Sequence, residues 1–371
     1  MKLALVHDWL NQVGGAEDVL LTLNAMYPDS PIYTSLYAPD IMPDVYRTWD
    51  IRTLWTDRLP AIHTHHQRYL PAYPLAWGGL DLSAYDVVLS NKSGFCHGLR
   101  QGSALHICYC LAPTRYVWQL DAYIAREGMS KAVELALRPL IAWLKRWDYA
   151  AAQRVDRFIA ISTDIQARIK TYYNRESDII YPPVETTRFV PMPRDPQTDD
   201  YFLIVSRLIP YKRIDLAVQA ATRLGVKLKI GGKGRDMERL KAMAGETVEF
   251  LGFVPDDELP ALMAKCKAFI FPGLEDFGIT PVQAQAAARP VIAYRGGGAL
   301  DTVREGVTGE FFDELTVESL AQVMANFDET RYHPADVREH ALKFDEAVFR
   351  EQLHSAIESA WQAHLSDGKK G

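Results

Sequence analysis

Phe271-Pro-Gly-Leu-Glu-Asp-Phe-Gly-Ile-Thr-Pro-Val-Gln-Ala-Gln285 runs from an apolar tetrapeptide through a glycine-bearing loop into a helical pattern. A buried parallel strand that hands its chain to a helix N-terminus reads this way. The helix is expected to start near Thr280-Pro281, with Thr as the cap and Pro tolerated at the first position. Its free N–H groups would stand at the carboxyl end of a sheet, where open α/β folds take anions and ligands. Glu275 lies in the loop, and Gln283 lies in the first turn of the helix, so the two can face opposite ends of one ligand.

The same grammar repeats in both directions. Short runs rich in Val and Ile predict strands over 3–7, 87–90, 106–110, 157–161 and 179–181, then over 201–205, 227–230, 248–251, 268–271 and 291–294. Helical spacing fills 214–224, 236–244, 257–265 and 281–288. Strand–helix alternation on both sides of a break predicts an α/β protein of two doubly wound, Rossmann-like domains facing a cleft. The break is placed at 181–200, where Pro182, Pro183, Pro191, Pro193 and Pro196 suggest a stiff, solvated connector. Domains are expected over 1–186 and 187–345. The tail 346–371 is expected to carry a helix that packs back on the first domain, with Val348, Leu353, Ile357 and Trp361 at helical spacing.

A chain of 371 residues suits two domains at about 150 residues each. The apolar content of 48% and charged content of 24% exclude a mostly disordered or fibrous protein. The net charge of −6 falls entirely on the second half: residues 1–190 hold 19 basic and 19 acidic groups, residues 191–371 hold 22 and 28. Neither half has the basic excess of a nucleic-acid binder. Cys96, Cys108, Cys110 and Cys266 lack the spacing of a zinc or redox site and read as buried free thiols in a reducing compartment. The N-terminus lacks the apolar core of a signal peptide, and no run is long enough to span a membrane, so a cytoplasmic protein is expected.

Three further segments could carry chemistry. Val205-Ser-Arg-Leu-Ile-Pro-Tyr-Lys-Arg-Ile-Asp215 delivers Arg207 and Lys212 at the end of a strand. Arg offers a planar fork and Lys a point charge, which suits a diphosphate. Each such pair near 4 Å is worth about 4 kcal/mol at an effective dielectric near 20, before desolvation. Gly14-Gly15 follows the first strand and opens a helix beginning near Ala16, where backbone can approach a ligand. Gly231-Gly-Lys-Gly-Arg235 lacks the third glycine of a dinucleotide fingerprint, and Gly296-Gly-Gly298 is another tight strand exit. In the first half, Arg138-Pro-Leu-Ile-Ala-Trp-Leu-Lys-Arg-Trp147 puts Trp143 and Trp147 on one helical stripe among cations, a pattern that can lie on an anionic membrane or face the core. Arg115, Tyr116 and Trp118 leave a first-domain strand and are candidates to line an acceptor cleft or, equally, to pack between the domains, whereas His63, His65 and His66 read as a polar loop.

Taken together, Gly14-Gly15, Ser206-Arg207 with Lys212, Leu251-Gly252-Phe253-Val254 and Glu275-Asp-Phe-Gly-Ile resemble the retaining GT-B glycosyltransferases of family 4, over residues 1 to about 360. His7-Asp-Trp-Leu, Ile107-Cys-Tyr-Cys, Pro113-Thr-Arg-Tyr-Val-Trp118 and Ile180-Tyr-Pro-Pro-Val184 are similar to the mannosyltransferases of bacterial polysaccharide and O-antigen assembly. The resemblance implies that Arg207 and Lys212 bind the diphosphate of a nucleotide-sugar, with GDP-mannose the best guess, and that Glu275 bonds the transferred sugar. It implies that backbone at Phe277, Gly278 and Ile279 cradles sugar and phosphate, that Phe253 and Val254 read the base, and that Gly14 and Gly15 approach the phosphate and acceptor. The family's second glutamate falls on Gln283 and a histidine of many relatives on Leu111. No metal is implied, and the chain has no D-x-D spacing. The implied acceptor is a glycan or polyprenyl-linked glycan, which would suit peripheral contact with an anionic membrane at the inner face. Competing readings are a two-Rossmann dehydrogenase, disfavoured by the absent G-x-G-x-x-G, and an epimerase or phosphorylase, for which no catalytic carboxylates or cofactor lysine are evident. The third is a catalytically impaired GT-B scaffold that binds nucleotide or a partner protein.

Overall fold

The computed structural model describes residues 1–119, 131–195 and 197–368. The chain forms two units, Met1–Pro183 with Phe349–Gly371, and Val184–Val348. Each is an all-parallel sheet covered by helices, so its strands are buried on both faces and read as short continuous apolar runs.

The first unit contains β1 (Leu3–His7), β2 (Ile32–Thr34), β3 (Ile51–Thr53), β4 (Val87–Lys92), β5 (Leu105–Cys110), β6 (Arg157–Ala160) and β7 (Ser177–Ile179), in spatial order β3-β2-β1-β4-β5-β6-β7. Its helices include α1 (Gly15–Met26), α2 (Arg115–Trp118), α3 (Lys131–Ala152) and α4 (Thr163–Tyr173). The second unit contains β8 (Phe202–Val205), β9 (Leu228–Gly231), β10 (Val248–Gly252), β11 (Ala268–Phe271), β12 (Val291–Tyr294) and β13 (Gly309–Phe312), in order β10-β9-β8-β11-β12-β13. Among its helices are α5 (Ile214–Leu224), α6 (Met237–Ala242), α7 (Leu259–Lys265), α8 (Ile279–Ala286) and α9 (Val317–Asn326). Strand order therefore reverses between β1 and β4 in one unit and between β8 and β11 in the other. Loops leaving those strands flank the ligand crevice of such folds.

The C-terminal helix α10 (Glu346–Gly368) joins the first unit from Phe349 onward. Phe349, Leu353 and Ile357 are buried, with Phe349 edge-on to Tyr109, and His364 hydrogen-bonds the Ser103 carbonyl at 3.0 Å.

Three strands, β2, β3 and β13, are not expected from their sequences. β2 and β3 are only three residues long, and β3 is largely exposed, so neither leaves an apolar run. The 181–200 segment is not a solvated connector throughout: Val184, Thr186 and Phe189 are buried in the second unit, and Arg338 donates to the Phe189 carbonyl at 2.7 Å. Pro196 lies outside the described residues. All four cysteines are free and buried. No described helix is long and apolar enough to cross a membrane.

Trp143 and Trp147, four residues apart on α3, differ in burial. Trp143 is exposed, whereas Trp147 packs on Phe95 and His97 and lies over Gly98, where an added Cβ would stand 2.1 Å from its ring. The proposed polar loop of histidines is a turn of helix (Ile62–His65) and a 3-10 turn (His66–Tyr69). His63 bonds Asp57 at 2.8 Å, and His66 accepts from the Asn11 amide at 2.9 Å while its ring meets Trp9. Alternating contact with the core and solvent, rather than loop chemistry, explains this histidine run.

Candidate active site

In the second unit the switch point brings one predicted cation, Lys212, onto the predicted carboxylate, Glu275. β8 ends at Val205, and the chain then passes Ser206 and Arg207 before a 3-10 turn over Pro210–Lys212. Arg213 adopts φ 53°, a left-handed turn that starts α5. Lys212 Nζ donates to Glu275 Oε2, and both side chains are largely buried. The Arg207 side chain is exposed and makes no hydrogen bond or ion pair among the described residues. Arg207 and Lys212 share one strand-exit loop, and a free guanidinium is chemically suited to polyanionic charge.

Two glycine-rich strand exits hold these loops, and close approach explains both. The β9 exit lies against the Arg207 loop: Leu208 donates to the Lys233 carbonyl at 2.9 Å, and an added Cβ on Gly234 would stand 2.1 Å from the Leu208 carbonyl oxygen. Gly232, at φ 127°, has room for no side chain, since a Cβ would fall 1.8 Å from the Ser206 oxygen. The β12 exit lies against the Glu275 loop in the same way. Gly298 donates to the Glu275 carbonyl at 2.8 Å, and its Cβ would meet Phe277 Cα at 2.2 Å. The glycines of the two exits are thus spacers that let two pairs of loop backbones touch.

Thr280 is not the cap of α8. Gly278 takes that position at φ 108°, a conformation that disfavours any side chain, and the helix begins at Ile279 without a side-chain cap. Its first N–H groups therefore stay available to a ligand. Phe277 is buried edge-on to Phe344. Gln283, half-buried one turn along α8, makes no side-chain hydrogen bond among the described residues, whereas the neighbouring Gln285 is buried and bonds the Thr302 carbonyl at 2.8 Å. Phe253 is 66% exposed at the end of β10, with Lys233 Nζ 5.7 Å from its ring centroid. Val254 reaches back over Gly231, where a Cβ would sit 2.7 Å from its methyl group. An exposed ring with a cation over it at the edge of a sheet is a platform for a flat heterocycle.

In the first unit the three aromatic and basic candidates divide. Trp118 is an anchor: its indole N–H donates to Asp148 at 2.6 Å, and its ring stacks on Tyr172 at 4.9 Å. Arg115 and Tyr116, on the same turn, are half-buried, and Tyr116 accepts from Gln67 at 3.3 Å beside Trp9. Leu111 is buried.

Asp148 organises this region and was not legible as a site residue. Fully buried on α3, it accepts from Trp118, from the Tyr173 hydroxyl at 2.8 Å and from Thr114, the residue preceding α2, at 2.7 Å. Burial raises its carboxyl above the ordinary range, while Lys92 and these three donors act in the opposite direction. Burial also opposes the Lys92 charge, but Cys110, Asp148, Cys108 and Asp8 around it hold the ammonium above its usual value. Asp8 is the second buried carboxylate. It accepts the backbone N–H groups of Ser93, Gly94, Phe95 and Cys96 at 2.5–2.8 Å, which fastens the end of β1 to the loop after β4. The signal for Asp8 was a charge placed directly after an apolar strand. Asp148, inside an ordinary amphipathic helix, offered none.

Lys212 and Glu275 therefore meet at the switch point of one of two Rossmann-type sheets, the place where open α/β folds take ligands. A Glycosyltransferase Family 4 profile matches residues 13–188, and a Glycosyl transferases group 1 profile matches residues 188–344. The chain belongs to the GT-B glycosyltransferases of family 4. It is 33% identical over 172 residues to the GDP-mannose-dependent alpha-(1-6)-phosphatidylinositol monomannoside mannosyltransferase of Mycolicibacterium smegmatis, a match covering 39% of this chain and 45% of that protein. The chain thus spans about half the length of the curated mannosyltransferases it matches at this level. It is 25% identical over 368 residues to the alpha-1,3/1,6-mannosyltransferase ALG2 of Mus musculus, with 85% of each covered. Among solved structures, the sucrose-phosphate synthase of Thermosynechococcus elongatus aligns with TM-score 0.73 at 16% identity, covering 97% of this chain and 100% of that one. HepE of Anabaena, solved in complex with UDP, aligns with TM-score 0.68 at 18% identity over the same shares.

Proposed function

We propose that the protein is a retaining, metal-independent hexosyltransferase that moves mannose from GDP-mannose to a glycan or polyprenyl-linked acceptor in polysaccharide assembly. The observation that carries this reading is the Arg207–Lys212–Glu275 constellation at the carboxyl ends of β8 and β11, beside the uncapped start of α8. In the transfer, the bond from the sugar C1 to the diphosphate oxygen breaks while the acceptor oxygen bonds C1 from the same face. The acceptor proton passes to the departing phosphate oxygen. Arg207 and Lys212 take up the leaving charge, the N–H groups at Gly278 and Ile279 hold sugar and phosphate, and Glu275 holds the sugar hydroxyls. Catalysis of this kind is positioning plus charge stabilisation and requires no histidine–carboxylate base. Donor binding exchanges one partner of Lys212 for another, so the apo ion pair keeps both groups in place without leaving either buried charge unpaired. Mannose is favoured by the named mannosyltransferases among the relatives. Phe253, Lys233 and Val254 form the base platform, and Gln283 meets the ribose as a neutral amide.

The outward side of α3 fits peripheral membrane contact: Leu135, Trp143 and Tyr149 are exposed alongside Arg138, Lys145 and Arg146. Pelleting with anionic liposomes at low salt tests this part, and no binding would refute it.

A thermal-shift screen across GDP-, UDP-, dTDP- and ADP-sugars, followed by a turnover assay on the best ligand, tests the whole. Ligand at about 100 times its Kd adds about 2.7 kcal/mol of stability. GDP-mannose should give the largest shift and be consumed. Binding without any turnover, with or without acceptor, would favour the impaired scaffold instead.

A further inference from the structure

Asp148 and its neighbours in the first unit make more oxygen–oxygen contacts than their hydroxyl groups can fill with hydrogens. Asp148 on α3 and Thr114, the residue before α2, are both fully buried. Thr114 Oγ1 lies 2.7 Å from the Gly94 carbonyl oxygen and 2.7 Å from Asp148 Oδ1, and Tyr173 Oη lies 2.8 Å from Asp148 Oδ2. Each contact has hydrogen-bond length and needs a hydrogen between its atoms.

Taken alone, the Thr114 contact is a donation to Asp148. The Gly94 carbonyl changes that assignment. A carbonyl only accepts, so the single Thr114 hydrogen goes to Gly94, and the Tyr173 hydrogen goes to Oδ2. No hydroxyl hydrogen is left for the contact between Thr114 and Asp148, and only the carboxyl can carry one. With a proton on Oδ1 every group is met. Oδ2 accepts from Tyr173 and from the Trp118 indole at 2.6 Å. The two lone pairs of Thr114 take Asp148 and Lys92, whose Nζ is 3.3 Å away.

The charges facing this cluster agree. His97, in the turn after β4, donates from Nε2 to the Asp148 backbone carbonyl at 3.3 Å, and burial holds its ring neutral. Burial keeps the Cys110 thiol on β5 and the Tyr173 hydroxyl on α4 protonated. Lys92 on β4 donates to the Ala112 carbonyl at 3.1 Å and makes no ion pair with a described carboxylate. Asp8, which also acts on Lys92, accepts four backbone N–H groups and is the ionised acid of the two. One lysine and one aspartate balance; a second ionised aspartate would leave an uncompensated charge away from water.

We propose that Asp148 is a protonated carboxylic acid at neutral pH, and that its proton, given to Thr114, makes it the positioning residue for α2, the turn that carries Arg115 and Tyr116. Asp148 then grips α2 at both ends, through Thr114 before it and Trp118 at its last position. Alkali removes the proton; the Thr114 hydrogen turns to the ionised Asp148, the Gly94 contact is lost, and α2 loosens from the turn after β4. A role in transfer for Arg115 and Tyr116 rests on the transferase reading; the proton does not.

Asp148→Asn copies the protonated side chain, with Nδ2 donating to Thr114 and Oδ1 accepting from Tyr173 and Trp118. Folding of wild type must recover a proton that the unfolded chain has released, so its stability falls as pH rises above the ordinary carboxyl range; asparagine binds no proton, and the buried neutral histidines are common to both proteins. At pH 7 the Tm of Asp148→Asn should therefore equal or exceed that of wild type, by a margin that grows with pH, whereas Asp148→Ala should lower it. Infrared spectra of wild type at pH 7 should show the C=O stretch of a protonated carboxyl, shifted in D2O and absent from Asp148→Asn. No such band, or an Asp148→Asn protein as destabilised as Asp148→Ala, would overturn the proposal. As alkali removes the band, the Trp118 indole N–H resonance, assigned by its loss in Trp118→Phe, should shift with it; a resonance that stays fixed would overturn the fastening of α2. A band without donor turnover would instead count against the transferase reading alone.

Discussion

Gly234→Ala should cripple the donor site without touching a ligand. Gly234 does not have a positive φ, so alanine meets no backbone penalty there. The obstacle is space: the new Cβ would lie 2.1 Å from the Leu208 oxygen, 2.6 Å from its carbonyl carbon and 2.8 Å from its nitrogen, all backbone atoms. Ordinary contact begins at 3.4 Å, so the two loops must separate by about 1.3 Å. Leu208 is fully buried and cannot yield, which passes the movement to Arg207 next to it. Misplacing a reactive group by about 1 Å costs on the order of 10²-fold, or about 2.7 kcal/mol of barrier. Overpacking adds about 1–3 kcal/mol of destabilisation. Nucleotide release from GDP-mannose and urea unfolding measure the two effects separately. Gly78→Ala is the control, because a Cβ there meets nothing within 4 Å; it should keep full activity and gain a few tenths of a kcal/mol or more as a helical glycine replaced. A Gly234→Ala protein that is folded and turns over donor within about threefold of wild type would refute the reasoning.

Arg207→Ala and Lys212→Ala should each lower turnover by roughly 10²-fold or more, and near-normal rates in both would remove them from the site. EDTA should leave activity intact; loss of turnover restored by Mg²⁺ would contradict a mechanism run by side-chain cations. Acid should destabilise the first unit through His106, whose pKa burial lowers to about 3. The unfolded chain takes a proton near pH 6.5 and the folded one does not until about 3, so stability falls as pH drops through that window, by about 2 kcal/mol between pH 7 and 5. Urea midpoints at the two pH values should show this loss, and His106→Gln should reduce it; an unchanged loss would place the proton uptake elsewhere.

The sequence carried the sheets well and the site unevenly. Strands β8 to β12 were legible because burial on both faces leaves uninterrupted apolar runs, and Arg207, Lys212 and Glu275 because each lies just past such a run. β2 and β3 were not, since three residues leave no periodicity to read. Gly232, Gly234 and Gly298 announced themselves as glycines, but the reason for them is contact between loops distant in the chain, which no local pattern encodes. Asp148 and Glu17 look like ordinary helix-surface acids. Only tertiary packing shows that one ties Thr114, Trp118 and Tyr173 together and that the other lies beside His7.

The proposed transfer depends most on the cations after β8 neutralising a sugar-nucleotide diphosphate. A crystal structure of the protein with GDP-mannose measures this directly. Arg207 and Lys212 should stand within hydrogen-bond distance of the diphosphate, with Glu275 on the sugar hydroxyls. A bound nucleotide with both cations turned to solvent would contradict it.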